Sequence, residues 1–153
     1  AATMEKLSAM MSVRWSRGNP IDPGGDLVSY HALWPMLEDE NIDSIIVIGG
    51  VGMISSFRDW VDIPEEMRRG MAEARKGHEA RELEDLEKTI ALMKKHGKPI
   101  FFVSQVMGAT QRGPASRRLK RDHLYFYSNP ERATKALARL VEYSEYLGVA
   151  RAR

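Results

Sequence analysis

Cysteine is absent from the 153 residues of this sequence. Disulfides, thiolate metal sites and cysteine nucleophiles are therefore excluded, and an intracellular setting is the default expectation. Long apolar runs are absent too: none approaches the ~20 residues that a membrane-spanning helix requires, and the N-terminal segment lacks the apolar core of a signal peptide. We therefore expect a cytoplasmic protein that has no membrane partner.

An excess of charge of either sign is also missing. The sequence has 23 lysine and arginine residues against 21 aspartate and glutamate residues, which gives a formal net charge of +2. This balance provides no argument for nucleic acid as a partner. Internal repeats and low-complexity linkers are absent as well, and the length suits a single core, so we treat residues 1–153 as one domain.

What the sequence does contain is a strong signal for a buried strand that ends in a glycine turn. Residues 45–48 are all aliphatic, which is typical of a strand buried on both faces of a parallel sheet. Three glycines follow within four positions, and a helix is predicted directly after them. A strand, a glycine turn and a helix N-terminus together can bind an anion through backbone N–H groups. The candidate anion-binding residues are Gly49, Gly50, Val51, Gly52 and Met53.

A second interpretation of this glycine turn stays open on local sequence alone. The glycines could form only a tight connection between a strand and a helix, because short glycine motifs often match by chance.

A helix, a loop and a second helix are predicted before this strand. Residues 3–11 predict a short helix with Thr3 as its N-cap. Its apolar face consists of Met4, Leu7, Met10 and Met11. Residues 17–26 carry two prolines and three glycines, so we expect a loop there. Asp26 is then a good N-cap for the following helix, which extends to Leu37; Pro35 falls late in it and is expected to cause a kink or to shift the helix ends.

Two helices separated by a break are predicted between residues 64 and 97. The apolar positions keep a helical spacing up to residue 78 and again from residue 83, but they lose phase in between. We therefore expect a break near Gly77 and a C-cap at Gly97. The charged faces of these helices are expected to be solvated surface. They comprise Arg68, Arg69, Glu73, Arg75, Glu79, Glu82, Glu84 and Asp85.

Two further strands and a last helix complete the pattern. Residues 99–104 predict a second buried strand, and residues 124–127 predict a third. Pro130 opens the last helix. Its predicted buried stripe consists of Ala133, Leu137, Leu140, Val141 and Leu147. This order of elements predicts an α/β fold, a three-layer sandwich on a mostly parallel sheet.

Side chains with catalytic chemistry are not arranged convincingly anywhere in the sequence. His31, His78, His96 and His123 have neither the spacing of metal ligands nor a triad context. His31 and His78 fall on apolar helix faces, where hydrogen-bonded core histidines are expected. The basic cluster at residues 112–121 could hold a phosphate or keep a loop soluble, and we favour the soluble loop.

Three blocks of sequence, in a fixed order, resemble one enzyme family. Residues 19–26 (Asn-Pro-Ile-Asp-Pro-Gly-Gly-Asp) resemble the Asn-Pro-(Val/Ile)-Asp-x-x-Gly-Asp block of nucleoside-diphosphate-forming acyl-CoA synthetases. Residues 37–48 are similar to the family's Leu-x-Asp-x-x-Val-Asp-x block and the strand after it. Residues 127–138 resemble its Tyr-x-x-Pro-Glu-Arg-Ala-x-x-Ala-Leu helix. The same region corresponds to the C-terminal flavodoxin-like domain of the succinyl-CoA synthetase β subunit, and the resemblance spans about residues 4–147.

The resemblance implies a supporting role in a ligase reaction. These enzymes convert acyl-CoA, a nucleoside diphosphate and phosphate to acid, CoA and a nucleoside triphosphate through a phosphohistidine carried by another domain. The matching position for the helix N-terminus that holds this phosphohistidine is the glycine turn. The candidates in the preceding loop are Asn19, Asp22, Gly24, Gly25 and Asp26. No catalytic histidine and no metal ligand is carried over to this sequence.

The resemblance also implies partners. A CoA-binding domain with the phosphohistidine and an ATP-grasp domain would complete the enzyme, which would use CoA, ADP or ATP, phosphate and Mg. This chain alone is expected to bind no cofactor and to be inactive. The family's first strand and helix have no counterpart here, so we expect an exposed sheet edge that could pair with another chain, including a second copy of this one.

The alternative is a module without synthetase chemistry. Similar domains occur in regulators in which an inactive synthetase-like region is fused to a protein acetyltransferase. A regulatory or interaction module therefore remains open beside the enzyme domain.

Overall fold

The centre of the molecule is a small parallel sheet. A computed structural model describes residues 2–23, 30–49, 64–104 and 113–148. Its three strands are β1 (Ile45–Ile48), β2 (Ile100–Val103) and β3 (Phe126–Tyr127). They lie in chain order, with β2 paired in parallel to both neighbours. Parallel neighbours need crossover connections, and a helix is present in each of them.

Five α-helices accompany the sheet within the described ranges. They are α1 (Ala2–Met10), α2 (Leu33–Glu38), α3 (Glu65–His96), α4 (Pro114–Arg121) and α5 (Pro130–Tyr146). The chain is therefore a mixed α/β protein with an open three-stranded parallel sheet. None of the helices within those ranges is both long and apolar enough to cross a membrane.

One face of the sheet, which we call the three-helix face, carries Ile45, Val47, Ile100 and Phe102. The turn before α2 and the helices α2, α3 and α4 cover it and contribute the rest of the largest apolar cluster. Their buried members are Tyr30, Leu33, Leu37, Leu86, Ile90, Ala115 and Leu119. Most of the buried apolar side chains among the described residues thus lie on this side.

The opposite face, which we call the one-helix face, carries Ile46, Phe101, Val103 and Tyr127. Among the described helices, α5 covers it and contacts all three strands. Ala133 is fully buried there. The rings of Phe101 and Tyr127 lie 5.7 Å apart between centroids, in a tilted arrangement that aromatic pairs favour.

The two strands that were predicted to be buried differ in how completely they are covered. All four residues of β2 are buried, which confirms the prediction for that strand. In β1, Ile45 and Val47 are buried, Ile46 is partly buried, and Ile48 is 55% exposed. The prediction is therefore wrong for the one-helix face of β1. The reason is that β1 is an edge strand of the described sheet, and the helix on that face leaves Ile48 uncovered.

The first helix, α1, packs on α2. Leu7 is fully buried beside Trp15 in a second, smaller cluster. Thr3 lies inside the helix, and its hydroxyl donates to Asp39 Oδ2 at 2.5 Å, so the predicted N-cap role is wrong. Met10 is 49% exposed and does not belong to the buried face that was predicted for it.

Pro35 sits in the first turn of α2, after a 3₁₀ turn at Tyr30–Ala32. A proline is tolerated there because the N–H that it lacks would have no partner within the helix. Pro35 thus lies near the start of α2, and not late in a helix as predicted. Asp26, the predicted N-cap, lies outside the described residues.

The long helix α3 continues through Gly77, so the predicted break is wrong. A shift in the helical spacing of the apolar residues requires a break only where both parts of the helix must pack on the same surface. None of the side chains described between residues 65 and 80 is buried, so the first half of α3 is under no such constraint. The predicted C-cap is confirmed: Gly97 has φ 63°, and its N–H donates to the Met93 carbonyl.

The basic segment at residues 114–121 is a helix, α4, and not a soluble loop. Pro114 occupies its first turn after Gly113. Ala115, Ser116 and Leu119 are buried, while the basic residues lie on the other side of the helix. A loop was predicted because the four basic residues stand among the few buried ones, so the buried side of a helix is not evident from the sequence.

The last helix, α5, begins as predicted. Asn129 is its N-cap, and the side-chain oxygen accepts the Arg132 N–H at 2.9 Å. Of the predicted buried stripe, Ala133 is buried and Leu137 is partly buried. The prediction is wrong for Leu140, Val141 and Leu147, which are all exposed. These residues have the spacing of a buried stripe, but they lie on the part of α5 that extends beyond the described strands.

Candidate functional site

Gly49 marks the carboxyl end of β1, at the edge of the parallel sheet where ligands bind in open α/β folds. Its N–H donates to the Val103 carbonyl at 2.9 Å, which holds this end of β1 against the end of β2. Gly49 has φ 79°, in the left-handed region that favours glycine. A Cβ at this position would meet no atom within 4 Å, so the backbone conformation, and not the space, selects glycine here. The predicted turn after β1 therefore starts where the sequence placed it.

The other residues of the predicted anion site lie outside the described ranges. They are Gly50, Val51, Gly52 and Met53. The helix predicted after them lies outside as well, so only the strand and the first residue of the turn are observed.

The described part of the candidate loop, residues 19–23, is tied to Ser16. The Ser16 N–H donates to the Asp22 carbonyl at 2.9 Å, and the Asp22 N–H donates back to Ser16 Oγ at 3.2 Å. The Ser16 hydroxyl donates to the Pro20 carbonyl at 2.9 Å. Ile21 packs against the small cluster of α1. Asn19 is exposed in this loop, and Gly24, Gly25 and Asp26 lie outside the described residues.

The structure describes only a part of each of these two regions. Gly49 lies at the end of the sheet, whereas Asn19 and Asp22 lie in a loop that rests on α1. The glycine turn is the primary candidate because of the conformation of Gly49, and the grouping of the loop with it stays a prediction.

A buried acidic side chain that sequence reasoning missed lies on α3, beside the 3₁₀ turn at Tyr30–Ala32. Glu82 on α3 was expected to be solvated, but it is only 9% exposed, beside Tyr30. Burial raises the pKa of the Tyr30 hydroxyl well above its usual value, and the negative charge of Glu82 raises it further, with Asp85 adding to the effect. The helical phase could have revealed Glu82, because it stands four residues before the buried Leu86 on the same face.

Around this group, α2 and α3 are joined by polar contacts of aromatic side chains. His31, in the 3₁₀ turn before α2, has its Nε2 3.0 Å from Asp85 Oδ1, and the His31 and Trp34 ring centroids lie 4.3 Å apart with the rings tilted by 55°. The Trp34 indole N–H donates to Thr89 Oγ1 at 3.0 Å, while the Lys88 ammonium lies 3.5 Å from the ring centroid. These contacts fix the docking of the two helices.

The expectation that His31 and His78 are core histidines is wrong, because both are exposed. His31 lies at the rim of the contact between α2 and α3. His78 lies on the half of α3 that has no buried side chain among those described. His123 is exposed with φ 58° at the turn before β3. Within the described ranges, no group of three or more His, Asp and Glu residues is placed to hold a metal ion.

Lys98 is a second residue that sequence reasoning missed. It is only 4% exposed, and its ammonium donates to the Leu37 carbonyl at 2.7 Å and to the Asp39 carbonyl at 2.6 Å. It thus binds the carbonyl groups at the C-terminal end of α2, where a cation also suits the helix dipole. Asp39 is held in turn by Thr3 and Asn41: the hydrogen bond from the Thr3 hydroxyl, then those from Asn41, lower the pKa of Asp39 from 3.8 to about 2.

The basic residues of α4 are partly committed to the protein itself. Arg118 is paired with Glu87 on α3 at 3.3 Å and with Asp122, which also accepts from Lys94 at 2.5 Å. These pairs join α4 to α3, so Arg118 is unsuited to hold a phosphate ligand.

Comparison with known proteins adds no relative. No protein-family model, curated protein or solved structure gives a significant match to this chain. The functional argument therefore depends on the three sequence blocks and on the geometry of the sheet edge at Gly49.

Proposed function

We propose that this chain is a domain of a nucleoside-diphosphate-forming acyl-CoA synthetase, in which the glycine turn after β1 binds the phosphate of a phosphohistidine from another domain. The observation that carries the proposal is Gly49. It ends a parallel strand at the carboxyl edge of the sheet with a positive φ of 79°. A strand that ends in this way, followed by further glycines and a predicted helix start, is suited to bind an anion through backbone N–H groups.

The arrangement of the described elements supports a flavodoxin-like fold for the domain. The strands are parallel and lie in chain order, and helices lie on both faces of the sheet. In doubly wound sheets of this kind, ligands bind beyond the carboxyl ends of the strands. The third family-like block coincides with β3 and the start of α5, where Asn129 caps the helix.

The role of this chain in the reaction would be electrostatic. The backbone N–H groups of the turn would stabilise a phosphate anion while the histidine that carries it belongs to the companion domain. No side chain of this chain is assigned to general acid, general base or nucleophile chemistry. CoA, the nucleotide and Mg would be bound by the companion domains.

The first test is reconstitution with the companion domains. The purified chain is mixed with the CoA-binding and ATP-grasp domains encoded in the same gene or beside it, and ATP or GTP formation from acyl-CoA, nucleoside diphosphate and phosphate is measured. We expect activity only in the complete mixture. Synthesis by the isolated chain, or full synthesis in its absence, would refute the proposal.

A matched pair of variants tests the turn itself. Gly50→Val puts a Cβ where a phosphate must approach the backbone closely, and we expect activity in the mixture to fall at least about a hundredfold, as is usual when stabilisation of an anionic intermediate is lost. Gly77→Val is the control, because a Cβ at Gly77 in α3 meets nothing within 4 Å. If companion domains with a glycine-flanked histidine do not exist in the parent gene, a regulatory or interaction module becomes the better assignment.

A further inference from the structure

The first turn of α4 is buried, although no side chain caps it. Gly113 is the N-cap, with an extended backbone and no side chain that could accept a hydrogen bond. Pro114 follows in the first turn and has no N–H. Gly113, Ala115 and Ser116 are all buried. A helix start that is removed from water in this way needs partners for its first N–H groups.

Two backbone groups and one hydroxyl at this helix start have no acceptor among the residues that the structure describes. They are the N–H groups of Ala115 and Ser116 and the side-chain oxygen of Ser116, a residue that is 0% exposed. The next N–H, that of Arg117, donates to the Gly113 carbonyl at 3.2 Å. Buried polar groups normally have a partner, and a buried group without one costs free energy.

The Ser116 side chain leans toward the start of the helix. In an α-helix the bond from Cα to Cβ is tilted toward the N-terminus, so that a side chain lies over the residue three or four positions before it. Three positions before Ser116 is Gly113, which has no side chain of its own. The hydroxyl is therefore directed to the same buried place as the N–H groups of Ala115 and Ser116.

The electrostatics of this place suit an anion. The first turn of α4 contains no acidic residue, so no carboxylate of the helix neutralises the positive end of its dipole. The side chain of Arg118 is already paired with Glu87 and Asp122, so the donors are the backbone and the hydroxyl. A water molecule would have to donate protons as well as accept them, whereas an anion only accepts and so matches a set of three donors.

The direction of the chain brings this helix start toward the carboxyl edge of the sheet. Because β2 and β3 are parallel neighbours, the chain between them returns from the carboxyl ends of the strands to their amino ends. The helix α4 lies in this connection, and its C-terminal end leads shortly into β3. The start of α4 is therefore the end nearer to the carboxyl edge, where open parallel sheets bind ligands.

We propose that the start of α4 is a binding site for a small tetrahedral anion, inorganic phosphate, held by the N–H groups of Ala115 and Ser116 and by the Ser116 hydroxyl. The burial of these groups limits the ligand to a small anion. The site does not depend on the proposed function, because it lies on a different element from the glycine turn after β1 and requires no companion domain.

NMR of the purified full chain, labelled with ¹⁵N, tests the site residue by residue. Inorganic phosphate is titrated at constant ionic strength, with sodium chloride as the balancing salt. We expect the amide resonances of Ala115 and Ser116 to shift and to saturate. Ser116→Ala should weaken the binding about tenfold, because one hydrogen bond to a charged ligand is lost. Ser8→Ala, at an exposed position of α1, is the matched control and should bind as the wild type does.

The same titration gives the results that would overturn the proposal. One is an absence of shifts at Ala115 and Ser116 up to about 50 mM phosphate, a concentration at which a site with a millimolar dissociation constant is saturated. Others are equal shifts with chloride alone and wild-type affinity in Ser116→Ala. Gly50→Val, which alters the glycine turn, should leave the shifts in place. Their loss in this variant would assign phosphate to the glycine turn instead.

Thermal unfolding provides a second measurement. Because phosphate binds the folded chain, it should raise the melting temperature of the wild type and of Ser8→Ala, and raise that of Ser116→Ala less. Without phosphate, Ser116→Ala should be at least as stable as the wild type, since it removes a buried hydroxyl that has no partner among the described residues. An equal rise in all three proteins would contradict the role of the hydroxyl.

Discussion

The two faces of the sheet differ in how completely they are covered. On the three-helix face, the turn before α2 and the helices α2, α3 and α4 surround the alternate residues of the strands, and Phe102 is 1% exposed. On the one-helix face, α5 covers the centre of the described sheet, but Ile48 at the end of β1 is 55% exposed. The three-helix face therefore holds most of the buried apolar side chains among the described residues, and we expect it to contribute most of the stability.

The polar contacts follow the same division. Tyr30, Glu82 and Lys98, which are all buried, belong to the helices and loops of the three-helix face. On the one-helix face, the recorded ion pairs of α5 lie on its exposed side, as in Lys135 with Glu131 at 2.6 Å. Exposed pairs of this kind contribute little to stability. We therefore expect substitutions on the three-helix face to be the more damaging.

The largest expected effect comes from two adjacent phenylalanines of β2 that point to opposite faces. Phe102→Ala should lower the free energy of unfolding by about 3–5 kcal/mol, because it leaves a cavity in the fully covered core. Phe101→Ala on the one-helix face should cost less, since fewer helices surround the site. Urea unfolding followed by circular dichroism measures both, and an equal or larger loss for Phe101→Ala would contradict the comparison.

A smaller effect is expected at alkaline pH. Because burial and Glu82 raise the pKa of Tyr30 in the folded protein, Tyr30 ionises more easily in the unfolded chain. Its contribution to stability is fully present below the unfolded-state pKa of about 10 and is lost above it, by about 1.4 kcal/mol per pH unit. Tyr30→Phe should reduce this loss between pH 10 and 12 in urea unfolding. Tyr146→Phe, at an 85% exposed position on α5, should leave the loss as it is in the wild type.

The smallest effect is expected at acidic pH, at the end of α2. The pKa of Asp39 is lowered to about 2 in the folded protein, so its contribution is present above pH 4 and is lost as the pH falls from about 4 to 2. Asp39→Asn should therefore flatten the decline of stability in this range, as followed by thermal unfolding. Glu40→Gln, at the exposed neighbouring residue, serves as the control. If stability declines at acidic pH in Asp39→Asn as it does in the wild type, the contacts with Thr3 and Asn41 do not lower the pKa of Asp39 in the folded protein relative to the unfolded chain.

The elements that could be predicted from sequence are those with strong local signals. The consecutive apolar residues of β2, the start of α5 at Pro130 and the C-cap at Gly97 each depend on a few neighbouring residues, and all three are present in the structure. The strand before the glycine turn, and the positive φ of Gly49, follow from the same kind of local signal.

The errors arose where tertiary packing decides the outcome. Periodicity identifies the side chains that could be buried on one side of a strand or helix, but it does not show whether another element covers them. Ile48 and Leu140 were for this reason predicted to be buried although they are exposed. Periodicity also does not show that a charged residue such as Glu82 faces a tyrosine from another element. Gly77 was read as a break because the first half of α3 was assumed to pack like the second.

The candidate site was predictable only in part for a related reason. A glycine turn after a strand is a local feature, and Gly49 has the expected conformation. In the proposed function the anion is carried by another domain, and a local pattern in this chain does not reveal that domain. The loop with Asn19 and Asp22 was grouped with the turn by resemblance alone, and this grouping stays a prediction because most of both regions lies outside the described residues.

The most direct test of the proposed function is the amount of phosphohistidine in the assembled enzyme. The companion domains are combined with this chain, phosphorylated with the nucleoside triphosphate, and the phosphohistidine is quantified by ³¹P NMR under alkaline denaturing conditions. Gly52→Val, with an unchanged circular dichroism spectrum, should accumulate little phosphohistidine, whereas the wild-type chain and Gly77→Val should accumulate it fully. Normal phosphohistidine levels with Gly52→Val would contradict the assignment of the glycine turn as the phosphate site.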